Sequence, residues 1–185
     1  MATEESSVVA ACSKAAKIAR KQGGFRTEST DPVMIGQIQI LGVDDITTAS
    51  EKILAEKQKL LEVANAQDKI LTDLGGGAKD LEVRILNSSY GKMIVVHLYV
   101  DVRDAMGANA VNTMVEALAP VVEDISGGYV RLKILSNLAD QRLVTAKAVF
   151  DKDMIGGEKV VDAFWNLWNL LKSILIELLH IIRVL

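Results

Sequence analysis

Residues 100–135 read VDVRDAMGANAVNTMVEALAPVVEDISGGYVRLKIL, and the changes of period inside this stretch decide the fold. The chain leaves a strand at Asp101, crosses the short loop DVRDAMGAN, and enters a helix expected from about Ala108 to Asp124. Gly127-Gly128 stops that helix, and Tyr129 to Leu135 returns as a strand. Upstream, Leu81 to Asn87 and Met93 to Asp101 read as strands of a hairpin turning through Ser88 to Lys92. Before them, Ile35 to Val43 alternates Gln37 and Gln39 against Ile38 and Ile40, the pattern of a strand with one buried face. A single helix is expected from about Ile46 to Asn65, with Ile46, Ala49, Ile53, Leu54, Leu60, Leu61 and Ala64 inward; a loop containing Asp68 and Gly75 to Gly77 follows it. Leu143 to Phe150 adds a last strand, giving a β-α-β-β-α-β-β order. This is α+β: a ferredoxin-like, split β-α-β antiparallel sheet with helices on one face. No G-x-G-x-x-G follows a strand, so a Rossmann cofactor site is not supported.

The remaining sequence sets bounds. A chain of 185 residues holds one domain with a real core, or one small domain plus pieces of another. A net charge of −3 without any Lys/Arg cluster leaves no electrostatic footprint for nucleic acid. One cysteine, Cys12, excludes an internal disulfide or a Cys-based metal cluster; it fits a reducing cytosol and reads as a small buried hydrophobe. The start MATEESSVVAACSK lacks a basic n-region with a long apolar stretch, so a cytoplasmic location is expected. Ser6 to Lys21 has helical spacing, with Glu5 at its leading edge and Gly23-Gly24 to stop it.

Four blocks then share one pattern: EESSVVAACSKAAKIARKQGGF, LGGGAKDLEVR, VDVRDAMGANAVNTM and VRLKILSNLADQR. In their order and spacing they resemble the class II reductases of 3-hydroxy-3-methylglutaryl-coenzyme A, over about residues 4–163. The resemblance implies a nicotinamide-binding small domain at 27–150 inserted in a larger catalytic domain. Residues 1–26 and 151–163 would belong to that larger domain. It implies four-electron exchange between hydroxymethylglutaryl-coenzyme A and mevalonate, with two nicotinamide cofactors, in dimers that share sites between subunits. Glu5 would be the catalytic acid that protonates the oxygen left when hydride reaches the thioester or aldehyde carbon, and Ser7 would contact substrate. Without the resemblance, Glu5 and Ser7 read as a capping pair for the first helix.

Asp104, Met106, Gly107, Ala108 and Asn109 would form the cofactor loop, because free N–H groups at a helix start attract a pyrophosphate. Seen alone, the loop is an ordinary tight turn into a capped helix. Asn137 would bond the cofactor, where turn chemistry is the plainer reading. Asp68 stands where NADH-using members keep an acid that accepts from the ribose 2′-hydroxyl and repels a 2′-phosphate. NADH is therefore the expected cofactor, with NADPH as the alternative. His97, alone on its strand, reads as a packed histidine rather than a catalyst.

After Asp162-Ala163 the chain changes to FWNLWNLLKSILIELLHIIRVL, which holds both tryptophans. At face value this is an apolar helix with a polar stripe of Asn166, Asn169, Lys172, Glu177, His180 and Arg183, suited to a membrane surface or a partner helix. Its charges argue against a spanning helix. A second reading comes from the genetic code. The family motif at this place is D-P-Y-R-A-A-T-H-N-K-G-I-M-N, and one codon choice for it, shifted by a base, translates as Ile174 to Leu185 followed by a stop. Residues 164–185 are then expected to be an out-of-frame tail, aggregation-prone because its apolar residues were never selected against a partner. The catalytic lysine, aspartate and histidine would lie only in the unread frame, and the chain is expected to be inactive. The substrate loop E-N-x-x-G of the family would precede Met1. Sequencing the DNA should reveal one missing nucleotide between the codons for Ala163 and Trp165 relative to intact relatives; an unbroken family-like frame there would reject the frameshift. Three functions remain open at this point: a reductase, a dinucleotide-binding module, and an interaction or membrane-surface protein acting through the last helix.

Overall fold

The computed structural model describes residues 5–89 and 91–184, with side chains through residue 172. The chain divides into two compact units, Ser29–Leu143 and a second formed by Met1–Glu28 with Val144–Leu185.

Within Ser29–Leu143 the elements are β2 (Val33–Leu41), α2 (Ile46–Ala55), α3 (Lys57–Asn65), α4 (Lys69–Asp73), β3 (Gly77–Ser88), β4 (Gly91–Asp101), α5 (Ala108–Ser126) and β5 (Tyr129–Leu135). The strands form one antiparallel sheet in the order β3-β4-β2-β5, the ferredoxin-like arrangement. Strand alternation sends Ile38 and Ile40 of β2, and Ile94, Val96, Leu98 and Val100 of β4, into one core. The helices meet them with Ala49 and Ile53, Leu60 and Ala64, and the α5 stripe of Val111, Met114, Val115, Leu118 and Val122. Asp45 starts α2 by accepting from the N–H groups of Thr47 and Thr48, both at 3.1 Å. Gly36 lets α5 approach β2, since a Cβ there would overlap the Val115 side chain.

Three local expectations are corrected. The single helix over 46–65 is two, broken at Glu56 (φ −90°, ψ 10°), although no glycine or proline marks the place. The loop at Asp68 contains the short helix α4, because the Asp68 carboxylate accepts from the Leu71 N–H at 2.9 Å and nucleates a turn. The last strand does not join the large sheet: β6 (Val144–Lys147) is exposed throughout and pairs with β1 (Arg26–Ser29) in a sheet of its own. Its start is set at Thr30, whose N–H donates to the Leu143 carbonyl at 3.0 Å and whose Oγ1 accepts from the Leu143 N–H at 2.8 Å. Polar β1, RTES, has no apolar alternation by which to announce itself.

The second unit holds α1 (Ser6–Ala19), a 3-10 turn at Arg20–Gln22, the β1/β6 pair, a 3-10 turn at Lys152–Ile155 and α6 (Glu158–Val184). Gly23 ends the 3-10 turn that follows α1, at φ 97°. Cys12 is half-buried rather than buried. Phe25 and Phe150 meet edge to face with ring centres 6.1 Å apart. On α6, Phe164, Trp165, Leu167, Trp168, Leu170 and Leu171 are all exposed, and Lys172 stands 5.5 Å from the Trp168 ring centre. The stripe residues Glu177, His180 and Arg183 lie outside the described side chains. Among the described residues, no helix is long and apolar enough to cross a membrane.

His97 shows what the sheet does to one polar residue. It sits on β4 opposite Gln37 of β2 and Glu82 of β3, on the face away from the helices, and is 9% exposed. Nε2 lies 3.1 Å from the Gln37 amide nitrogen, while Nδ1 has no hydrogen-bond partner. Burial pushes its pKa down, with Arg84 adding to the shift and Glu82 and Asp140 opposing it. A depressed pKa means that the unfolded chain takes up the proton first as pH falls. Stability is therefore complete above the ordinary histidine value, near 6.5, and is lost as pH drops below it toward the folded-state value. Urea midpoints should fall between pH 7.5 and 5.5, and fall less in His97→Gln; equal losses in the two proteins would reject this account.

Candidate functional site

The chain between β4 and α5 is built around a buried carboxylate. Asp101, 8% exposed, accepts from the Arg103 N–H at 2.9 Å through Oδ1 and pairs with Arg103 Nη2 at 3.2 Å through Oδ2. These contacts hold Arg103 at φ 51°, the single non-glycine residue at positive φ among the described residues. Nη2 also donates to the Gly75 carbonyl at 2.6 Å, drawing the glycine turn after α4 against this loop. The Val102 N–H donates to Pro32 and the Ala105 N–H to Val102, both at 3.0 Å, which closes the turn.

Gly107 then takes φ 91° and opens α5. It is required twice over, by the left-handed backbone and by space: a Cβ would lie 2.5 Å from Met34 Sδ and 2.8 Å from Val102 Cγ1. No side chain caps α5, and the first helical bond to Gly107 comes from the Val111 N–H at 3.0 Å. The N–H groups of Ala108, Asn109 and Ala110 thus lack intrahelical acceptors and point out of a glycine-lined start. Such a helix start fits a pyrophosphate, since unpaired donors and the positive end of the helix dipole both favour an anion.

The other expected residues can be placed around this start. Asp104, Met106 and Asn109 are exposed and Ala108 is half-buried. Asn137 is exposed in the turn after β5, where the Ser136 N–H donates to the Ile35 carbonyl at 2.7 Å and the Asn137 carbonyl accepts from Ala139 at 3.1 Å. Arg142 ties that segment to the cofactor loop, with Nη2 3.5 Å from the Ala105 carbonyl and Nη1 3.5 Å from Met34 Sδ. Asp68 caps the start of α4, and the other end of α4 leads through Leu74 to Gly75, whose carbonyl Arg103 holds. Two of the four family-like blocks meet here through Arg142 and a third through Arg103.

Glu5 and Ser7 belong to the other unit. Ser7 Oγ donates to Glu5 Oε1, and the Glu5 side chain makes no cap bond to α1. Sequence reasoning assigned no role to Asp101, Arg103 or Arg142. A basic residue between two aspartates, D-V-R-D, was the available signal. Among the described residues, no group of His, Cys, Asp and Glu could hold a metal ion.

Comparison with known proteins identifies the family of the chain. The family model for hydroxymethylglutaryl-coenzyme A reductase matches residues 1–172. The chain is 56% identical over 162 residues to 3-hydroxy-3-methylglutaryl-coenzyme A reductase of Archaeoglobus fulgidus, covering 88% of this chain and 37% of that protein. It is 33% identical over 180 residues to a probable reductase of the same name from Borreliella burgdorferi, covering 94% of this chain and 38% of the relative. Among solved structures, the class II 3-hydroxy-3-methylglutaryl-CoA reductase of Streptococcus pneumoniae bound to NADPH in open conformations superposes with a TM-score of 0.74 at 43% identity, over 83% of this chain and 37% of that one. A second structure of the Streptococcus pneumoniae reductase gives 0.74 at 44%, over 83% and 41%. The chain thus spans 37–38% of the length of the curated relatives it matches.

Proposed function

The chain belongs to the hydroxymethylglutaryl-coenzyme A reductase family, and on that premise we propose that the unit Ser29–Leu143 binds a nicotinamide dinucleotide with its pyrophosphate at the start of α5. The observation that carries this reading is the uncapped start of α5, where no side chain caps the helix and the first N–H groups lack intrahelical acceptors. Arg103 and Arg142 border the loop and supply positive charge. Asn109 and Asn137 offer exposed amides to the rest of the cofactor. When bound, the cofactor supplies hydride for reduction of hydroxymethylglutaryl-coenzyme A to mevalonate, or accepts it in the reverse direction. In the longer family chain Glu5 would hold the proton for the substrate oxygen, and Ser7, which donates to it, would orient that carboxylate and touch substrate.

The assignment for these residues is binding; turnover, the coenzyme A substrate, dimerisation and a cytoplasmic setting are proposed for the longer family protein. Calorimetric titration of the full chain with NADH tests the assignment, and saturable binding is expected. No heat up to millimolar NADH would reject it.

Asp68 favours NADH over the NADPH seen in the pneumococcal relative, because a carboxylate accepts from a 2′-hydroxyl and repels a 2′-phosphate. Capping α4 engages Oδ1 of this residue. Asp68→Asn keeps an oxygen for the cap and removes the charge. It should move the NADH/NADPH affinity ratio toward NADPH by about tenfold, an energy of about 1.4 kcal/mol. An unchanged ratio in paired titrations would remove Asp68 from the site.

A second reading rests on the exposed Phe164, Trp165, Leu167, Trp168, Leu170 and Leu171 of α6, which suit a membrane surface or a partner helix. Flotation with anionic liposomes would support it only if alanine at Trp165 and Trp168 abolished flotation.

A further inference from the structure

The glycine turn after α4 and the loop before α5 come from chain segments far apart in sequence; the β3/β4 ladder joins them where Gly77 faces Asp101, and one side chain joins them again at Gly75. Arg103 leaves the loop, and its Nη2 bridges the Asp101 carboxylate at 3.2 Å and the Gly75 carbonyl at 2.6 Å. We propose that Arg103 is a positioning residue that clamps the Gly75–Gly77 turn onto the loop opening α5. It thereby sets the spacing between Asp68 and the helix start, the two places that would hold the ribose and pyrophosphate of an adenosine diphosphate moiety. The inference rests on the dinucleotide reading above and adds to it the residue that aligns the two halves of the site.

Three observations carry it. First, Arg103 is the one non-glycine residue at positive φ among the described residues, a conformation that persists when its surroundings over-determine it. Second, the carboxylate holding it is largely buried, its side chain 11% exposed against 46% for Arg103, so one partner of the pair is held out of water while the guanidinium reaches the surface. Third, the far side of the joint is as tight: a Cβ on Gly76 would lie 2.7 Å from the Asp101 carbonyl oxygen and 2.7 Å from Leu71 Cδ1. Leu71 is also the residue whose N–H the Asp68 carboxylate caps, at 2.9 Å. Contacts therefore run without interruption from Asp68 through Leu71 and Gly76 to Asp101, with Arg103 closing the loop. Lys79 also donates to the Gly75 carbonyl, at 2.9 Å, and Gly77 pairs with Asp101 in the β3/β4 ladder, so the sheet fixes the far end of the turn while Arg103 holds its near end at Gly75. The planar guanidinium serves carboxylate and carbonyl together, which an ammonium does poorly.

The test uses the full chain and two variants. Arg103→Gly removes the clamp while suiting the backbone at φ 51°, so the fold should tolerate it; Arg103→Lys keeps the charge and loses the fork. In Arg103→Gly, amide exchange at Gly75, Gly76 and Ala105 should accelerate together by about tenfold, the scale of losing one charge-assisted hydrogen bond, while Val96 and Leu98 in β4 stay protected. NADH affinity should fall by about tenfold or more with an unchanged melting temperature, and the lysine variant should lie between. Unchanged exchange in the glycine variant would overturn the clamp. Faster exchange with NADH affinity within about twofold of the parent would overturn its role in positioning. Failure of the parent chain to bind NADH would instead reject the dinucleotide reading and the positioning role with it, and the exchange data would still decide whether the clamp exists.

Discussion

Alanine at position 107 is expected to destabilise the Ser29–Leu143 unit by about 2–5 kcal/mol and to abolish measurable NADH binding. The stability loss has two sources. A Cβ-bearing residue at φ 91° costs about 1–2 kcal/mol, because the side chain crowds its own carbonyl. The new methyl group would also lie 2.5 Å from Met34 Sδ and 2.8 and 2.9 Å from Val102 Cγ1 and Cβ. Met34 can rotate away. Val102 is fully buried and β-branched, so it cannot, and overpacking adds about 1–3 kcal/mol. Binding should fail because the backbone relaxes by moving the first turn of α5, whose N–H groups form the anion cradle. Urea denaturation and NADH titration measure the two effects. An unchanged midpoint would show that the tight packing around Gly107 is wrong, and full NADH affinity would move the pyrophosphate elsewhere.

Leu118→Ala is expected to cost a comparable 2–5 kcal/mol, estimated from about that range for buried leucine truncations, yet to leave NADH affinity within about twofold. Leu118 is fully buried on the same helix, packed in the core beneath the sheet and about 16 Å along the axis from Gly107. The substitution leaves a cavity under α5 without touching its first turn. Measured well below the denaturation midpoint, binding should resemble that of the parent. If Leu118→Ala lost affinity as completely as Gly107→Ala, binding would depend on general rigidity, and the local cradle would no longer explain it.

Much of this architecture was legible in the sequence. The period-two pattern around Gln37 and Gln39, the apolar stripe of α5 and the stop at Gly127 placed the strands and the second helix to within a few residues. The DAMGAN and SNLAD blocks pointed to the family that the comparisons then showed. Illegible elements share a physical cause, since each is held by a contact with a distant residue. β1 lacks apolar alternation, and β6, expected as a strand, pairs with it and not with the large sheet, next to the bonds between Thr30 and Leu143. The break at Glu56 has no local breaker. α4 depends on a single cap at Asp68, in a stretch otherwise read as loop.

By itself, then, the sequence determined the four strands of the large sheet and the helix α5 between them, the family, and the residues that open α5, because these are written in local periodicity, glycine placement and contiguous motifs. Only the tertiary structure decided that Asp101 and Arg103 join the glycine turn to the cofactor loop, that Arg142 brings the segment of Asn137 beside it, and that His97 is buried with an unpartnered nitrogen. These are relations between residues far apart in the chain. They depend on which strands become neighbours and which side chains lose their water, and neither is set by local propensity.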